Sequence, residues 1–537
     1  MSTTVFAGRT DDTVGIGPLF RFALRRERFG LPFWLAGAAL LVGYQSWGSQ
    51  SLYGSPLELA QLRETMGGNA AIVAMSGPTE LLASIGGEVV FEIFAYLAVV
   101  VALMNMFIVG RCTRTDEENG RAELVRSARV GRRAPLLAAI GLAWLADIAI
   151  AGAAFGAATL TGLPWGGSLL LAASIAGVGI VFAALTAIAV QIFENPRSVY
   201  GATTSAIGIA YALRAIGDVG NGTLSWLSPI GWGQRTFPFA GDRWWPLLLP
   251  AIFGPLLVIV AVAVLDRRDF GAGVLGYRSG RASASWLLGS PLGLAWRLQR
   301  GSLIMWTIGV FALAAAYGSF GSSIEDFIAD NPEIASYLPG GAADAVNAYL
   351  ALTVTMAALL AAAYGVSSAL RARAEETSGR AEPIYATPTS RGEWLASHVA
   401  VALAGSALVA AAGGFGEGLA YGLTVSDPGQ AIRLTGVALV YLPATWLVVA
   451  IAVLGIGYLP RIAAAIAWTT FGYCTIIVLF ADSFKLPDWM RDLSPYTHTP
   501  QAPLESVTTT PILAILTLTV AVLVLGFAGF RSRDVGC

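Results

Sequence analysis

Apolar runs of about 20 residues recur about twelve times along this chain, and no other feature limits its fold so strongly. They fall near 31–48, 85–110, 134–161, 168–192, 200–217, 246–265, 301–320, 346–370, 394–423, 434–458, 463–483 and 510–530. A run of this length crosses roughly 30 Å of hydrocarbon as a helix, which also satisfies its own backbone hydrogen bonds. Charged residues make up only 12% of the 537 residues, whereas an average soluble domain carries about 25%. The expected fold is therefore an all-α polytopic membrane protein.

Charge sets the orientation. The gaps between runs alternate between basic and poorly basic, and the basic gaps fall on the side of the N-terminus. The positive-inside rule then puts both termini in the cytoplasm. The first 30 residues do not form a signal peptide, since Asp11 and Asp12 precede the basic stretch "GPLFRFALRRERFG". Phe20 and Leu24 can share one face of a helix there, with Arg21, Arg25 and Arg28 on another, as in a helix lying on the inner membrane surface. Cys112, Cys474 and Cys537 are scattered, and His398 and His498 cannot form a metal cluster alone.

A charged cassette occurs twice, each time after a long apolar run. "RTDEENGRAELVRSARVGRR" (Arg114 to Arg133) and "RAEETSGRAEPIYATPTSR" (Arg373 to Arg391) align at an offset of 259 positions. The shared residues are Arg114 and Arg373, Glu117 and Glu376, Gly120 and Gly379, Arg121 and Arg380, Glu123 and Glu382, and Arg132 and Arg391. Two further landmarks repeat in the same order: Leu-Ser-Pro in "SWLSPIGW" and "RDLSPYTH", and the basic stretch that opens each half, the second being "LAWRLQRGSLIMW". The chain is read as two parallel six-helix repeats. The divisions are a tail and interfacial helix (1–30), a first half (31–265), a linker with a second interfacial segment (266–300) and a second half (301–537). Thr115 with Glu118, and Ser390 with Glu393, have the spacing of capping boxes.

The cassettes, the interfacial segment and the doubled layout resemble ABC-2-type exporter permeases, in the fused form described as exporters of polyketide antibiotics of the tetronasin-resistance kind. The resemblance covers essentially the whole chain, and its most specific part is E-x-x-G-R-A-E at Glu117 to Glu123 and Glu376 to Glu382. It implies that these loops dock onto two copies of a separate ATP-binding subunit, which would carry ATP and Mg. It also implies a bacterial plasma-membrane location and export of small amphiphilic compounds. Pro383 stands where the first copy has Leu124, which predicts a shorter or kinked second helix. The chain's single lysine, Lys485, follows no Gly-x-x-x-x-Gly, so a P-loop is excluded here. No cofactor, metal or nucleic acid is expected on this chain.

Ionisable residues inside the predicted spans cost about 2.5–3.5 kcal/mol each unless they face protein or water. Glu88 and Glu92 lie one turn apart on the face of Tyr96, and with Phe91, Tyr349 and Met356 they are candidates for lining a substrate cavity. The plainer reading puts Glu88 and Glu92 near the outer headgroups or paired with Arg214, and the aromatic and Met positions in the core or facing lipid. Arg214 with Asp218 reads as a local pair at the outer interface, His398 and Glu417 read as packing or interface groups, and Asp147 lies within the third span. The competing function is an ion-coupled secondary transporter of the six-plus-six kind, which also carries a Gly-Arg loop after spans 2 and 8. A membrane transferase would need an acidic outer loop, for which only Glu325, Asp326 and Asp330 are available.

Overall fold

The computed structural model describes residues 12–53, 56–67, 70–269, 271–275, 283–321, 341–481 and 486–534. Lys485, Glu325, Asp326, Asp330 and Cys537 lie outside them. The chain divides into two compact units, Met1–Gly280 and Arg281–Cys537. Among the described residues the structure is helical, with one isolated bridge between Phe193 and Leu275.

The first unit contains α1 (Ile16–Glu27), α2 (Gly30–Leu52), α3 (Ile85–Arg111), α4 (Ala134–Leu160), α5 (Trp165–Ile192), α6 (Pro196–Val219) and α7 (Leu248–Arg267). The second contains α8 (Pro291–Gly318), α9 (Gly341–Thr377), α10 (Arg391–Thr424), α11 (Gly429–Val440), α12 (Leu442–Tyr458), α13 (Ala463–Phe480) and α14 (Thr509–Ser532). Among the described residues, nine helices are long and apolar enough to cross a membrane; α11 and α12 together form one of them. The other three expected segments are also helical, as α2, α6 and α13, but are less apolar or shorter. In α2 the cause is a polar C-terminal third. Ser46 meets the Thr161 hydroxyl at 2.6 Å, and Gln50 donates to the Thr161 carbonyl at 2.9 Å, so these groups are satisfied against the end of α4.

In each unit the helices of the second and fourth spans form the buried centre, and the last helix is among the most exposed. An outward apolar face, such as Ile252, Leu256 and Ile259 on α7, suits contact with lipid. Glycine lets α10 approach its neighbours closely. A Cβ at Gly416 would collide with the Phe311 carbonyl of α8, and one at Gly414 would collide with the Leu434 carbonyl of α11.

The two interfacial segments differ. In the first unit α1 and α2 are separate, because Pro32 has no N–H to bond back to the Arg28 carbonyl. The corresponding stretch in the second unit has no proline there, and α8 runs unbroken from the basic segment into its span. On α1, Arg21, Arg25 and Arg28 are exposed as expected, while Ala23 and Glu27 form the buried side.

Candidate functional site: the duplicated cassette

In the first unit, α3 ends at Arg111 and the chain restarts as a short helix at Arg114–Glu118, then a second at Arg121–Arg126. The break sits at Thr113, whose hydroxyl bonds back to the Val109 carbonyl at 2.5 Å. The capping box expected at Thr115 and Glu118 does not form. The helix begins two residues earlier, at Arg114, so Thr115 lies inside its first turn and its hydroxyl meets the Tyr200 phenol at 3.2 Å. In the second unit α9 continues without a break through Glu376, and the box of Ser390 and Glu393 is complete at the start of α10.

The Gly-Arg-Ala-Glu turn has one geometry in both units. Gly120 and Gly379 take left-handed φ values of 70° and 71°. Each donates its N–H three residues back, to Glu117 and Glu376, and each accepts from the Glu three residues on. A Cβ on either would meet nothing within 4 Å, so the positive φ, not crowding, calls for glycine. The helix after the turn has six residues in the first copy and four (Glu382–Tyr385) in the second, which has Pro383 in its first turn.

The shared charged residues point in two directions. Arg114 is 1% exposed and bonds Glu117 at 2.5 Å, and Glu117 takes a second bond from Arg268 at 2.9 Å. Arg373 bonds Glu376 at 2.9 Å, and Arg533 bonds the same carboxylate at 2.7 Å. Arg114 also donates to the Val190 carbonyl at the end of α5, as Arg373 does to the Pro460 carbonyl just after α12. Arg132 donates to the Arg268 carbonyl, and Arg391 to the Arg533 carbonyl. Six of the twelve candidate residues therefore hold the cassette to its own unit. Arg121, Glu123, Arg380 and Glu382 are instead exposed at the tip. Burial, and then the Glu376 carboxylate, push the Tyr385 phenol up from its ordinary value.

Arg268 and Arg533 are not among the residues that the sequence singles out. Each is the residue after the last helix of its unit, with nearly the same extended backbone. A signal was available: Arg268-Asp269-Phe270-Gly271 and Arg533-Asp534-Val535-Gly536 share Arg-Asp-x-Gly after the last span.

In the first unit Arg26 of α1 bonds Asp116 at 2.7 Å, and Glu27 bonds Arg111 at 2.8 Å, so the interfacial helix is tied to the cassette's base. A cavity of about 730 Å³ lies between α1, the cassette and the end of α7, bordered by Phe22, Arg26, Arg121, Val125, Leu136 and Arg268.

The candidate cavity residues are dispersed. Glu88 is buried in the first turn of α3 against Ser49, Glu92 is half-buried, Phe91 is fully buried and Tyr96 is 41% exposed. In the second unit the Tyr349 hydroxyl donates to the Tyr317 carbonyl at 2.8 Å, and Met356 is half-buried. Arg214 and Asp218 do pair, at 3.7 Å, but fully buried, and Arg235 also bonds Asp218 at 3.0 Å. His398 is buried beside Gln299 at 3.3 Å and packs on Trp394. Each unit also buries a carboxyl with one free oxygen. Asp147 takes a bond from Asn105 at 2.7 Å and Glu417 takes one from Thr353 at 2.6 Å, leaving Asp147 Oδ2 and Glu417 Oε2 without hydrogen-bond partners.

Long apolar helices in two units, each with a clamped charged loop at one end, define a multi-pass membrane protein. Residues 288–531 match the family model described as multidrug efflux system permease Rv1217c, C-terminal domain. The chain is also 38% identical over 528 residues to multidrug efflux system permease protein Rv1217c of Mycobacterium tuberculosis (strain ATCC 25618 / H37Rv), covering 97% of this chain and 95% of that one. The chain belongs to this family of multidrug efflux system permeases.

Proposed function

We propose that this protein is the membrane-spanning permease of an ATP-driven exporter of amphiphilic drugs, in the plasma membrane and with both termini cytoplasmic. On this reading it is an ABC-2-type permease with twelve spans in two parallel repeats. ATP hydrolysis belongs to two copies of a separate subunit, one on each cassette. One observation carries the reading: the two cassettes keep the same turn and the same exposed Arg and Glu at its tip, as two docking points for one kind of partner would. Efflux of drugs is what the name of the Mycobacterium tuberculosis relative states, and the overall identity supports carrying it over. Glu88 and Glu92 are then candidates for drawing in cationic amphiphiles.

A second reading, an ion-coupled secondary transporter, is favoured by the two buried carboxyls Asp147 and Glu417, since intramembrane acids often relay protons. Dye uptake into inside-out membrane vesicles separates the two. The ATP-driven reading expects uptake that needs ATP and survives a protonophore. Uptake that follows the proton gradient, ignores ATP and disappears in Asp147→Asn or Glu417→Gln would replace it with the second.

A further inference from the structure

Arg268 and Arg533 occupy the same place in two separate units, and each closes an Arg–Glu–Arg triad around a cassette glutamate. We infer that they are positioning residues: each clamps the docking cassette onto the end of its unit's last helix, so that cassette and helix move as one body during transport. The inference rests on the docking role proposed for the cassette.

Three observations carry it. The triads are shielded from water: the Arg268 side chain is 4% exposed and that of Glu376 2%. The link is redundant, since Arg132 and Arg391 grip the carbonyls of those same two arginines. In the first unit Arg268 also reaches Gln191 at 2.6 Å and the Ala272 carbonyl at 2.7 Å, which ties the end of α5 into the clamp. Third, the copies have diverged around the clamp without losing it. The first copy has a helix break at Thr113, with Asp116 and Leu124 beyond it. The second has an unbroken α9 there, with Glu375 and Pro383 in the matching places. The last helices are among the most exposed in each unit and pack mainly on α5 or α12, so polar links at their ends matter; in the first unit Arg133 adds a second one, to Asp266 of α7 at 2.6 Å.

The test uses the full chain with its three cysteines replaced and spin labels at Leu124→Cys, which is exposed, and Arg267→Cys. The expected result is one narrow label distance that nucleotide and the ATP-binding subunit leave unchanged. Arg268→Gln should broaden it and lower export about tenfold at unchanged membrane abundance. Glu117→Gln combined with Arg268→Gln should be no worse than either alone, because the two act through one contact. A distance that shifts with nucleotide while the clamp is intact overturns the inference, as does normal export by both Arg268→Gln and Arg533→Gln. If the chain exports without any ATP-binding subunit, the docking reading fails. The label distance, measured with and without transported dye, then still decides the clamp.

Discussion

Asp147 is fully buried, accepts one bond from the Asn105 amide and has no partner for Oδ2. Its site is tight as well: a Cβ at Gly179 of α5 would overlap Asp147 Oδ1. Asp147→Asn keeps both the shape and a polar group for Asn105, so its melting temperature in detergent should stay close to the parent's. Asp147→Leu leaves one N–H of that amide without a partner, the other bonding the Val101 carbonyl at 2.9 Å, and should cost about 1–3 kcal/mol. Gly179→Ala should cost a similar ~1–3 kcal/mol by overpacking. Equal melting temperatures for Asp147→Leu and the parent would show that the Asn105 contact contributes nothing. At this scale the sequence shows which charges fall in the spans but neither how deeply they are buried nor what they touch. The charge cost of the bilayer flags Asp147 and Arg214, but Arg214 with Asp218 reads from the sequence as an interface pair and is fully buried, and Asn105 and Met75 become neighbours only through helix packing.

Among the elements, the cassette turn and the interfacial helix make separate predictions. Both turn glycines need a left-handed backbone, which costs an L-residue about 1–2 kcal/mol. Gly120→Ala and Gly379→Ala should each destabilise their unit by about that amount, read as a lowered thermal midpoint; no change in either would mean the turn refolds without strain. The Arg26–Asp116 bond fastens α1 to the cassette. Arg26→Ala should therefore raise the rate of tryptic cleavage at Arg25 and Arg28 several-fold at low protease. An unchanged rate would mean that packing on α4 and the Glu27–Arg111 bond hold α1 without it. Local rules were legible where they acted alone. Ser390 and Glu393 cap α10 as their spacing required, and Pro383 shortened its helix. At Thr115 the rule failed because the helix starts two residues earlier, at Arg114, which bonds Glu117, Val190 and Ala272.

For the whole molecule, the bilayer made the fold readable, since runs long enough to span it have few alternatives to helix. The exceptions were segments whose polar groups are satisfied inside the protein, as along α2. The cassette was legible as a repeat but not as a device. Charges shared by two copies suggest a common external partner, whereas Glu117 and Glu376 are held by arginines of their own unit and the exposed shared charges are the tip residues and Arg132. Reversing the tip, with Arg121→Glu and Arg380→Glu together, should abolish co-purification of an ATP-binding subunit while leaving chain abundance unchanged. Retention of that subunit would move docking away from the turn. The most direct measurement is purification of the tagged chain from its native host in mild detergent, with mass spectrometry of what accompanies it. The account predicts a soluble subunit containing a P-loop at about two copies per chain, one for each cassette. The chain recovered alone, with dye export that collapses when the proton gradient is removed, would contradict it.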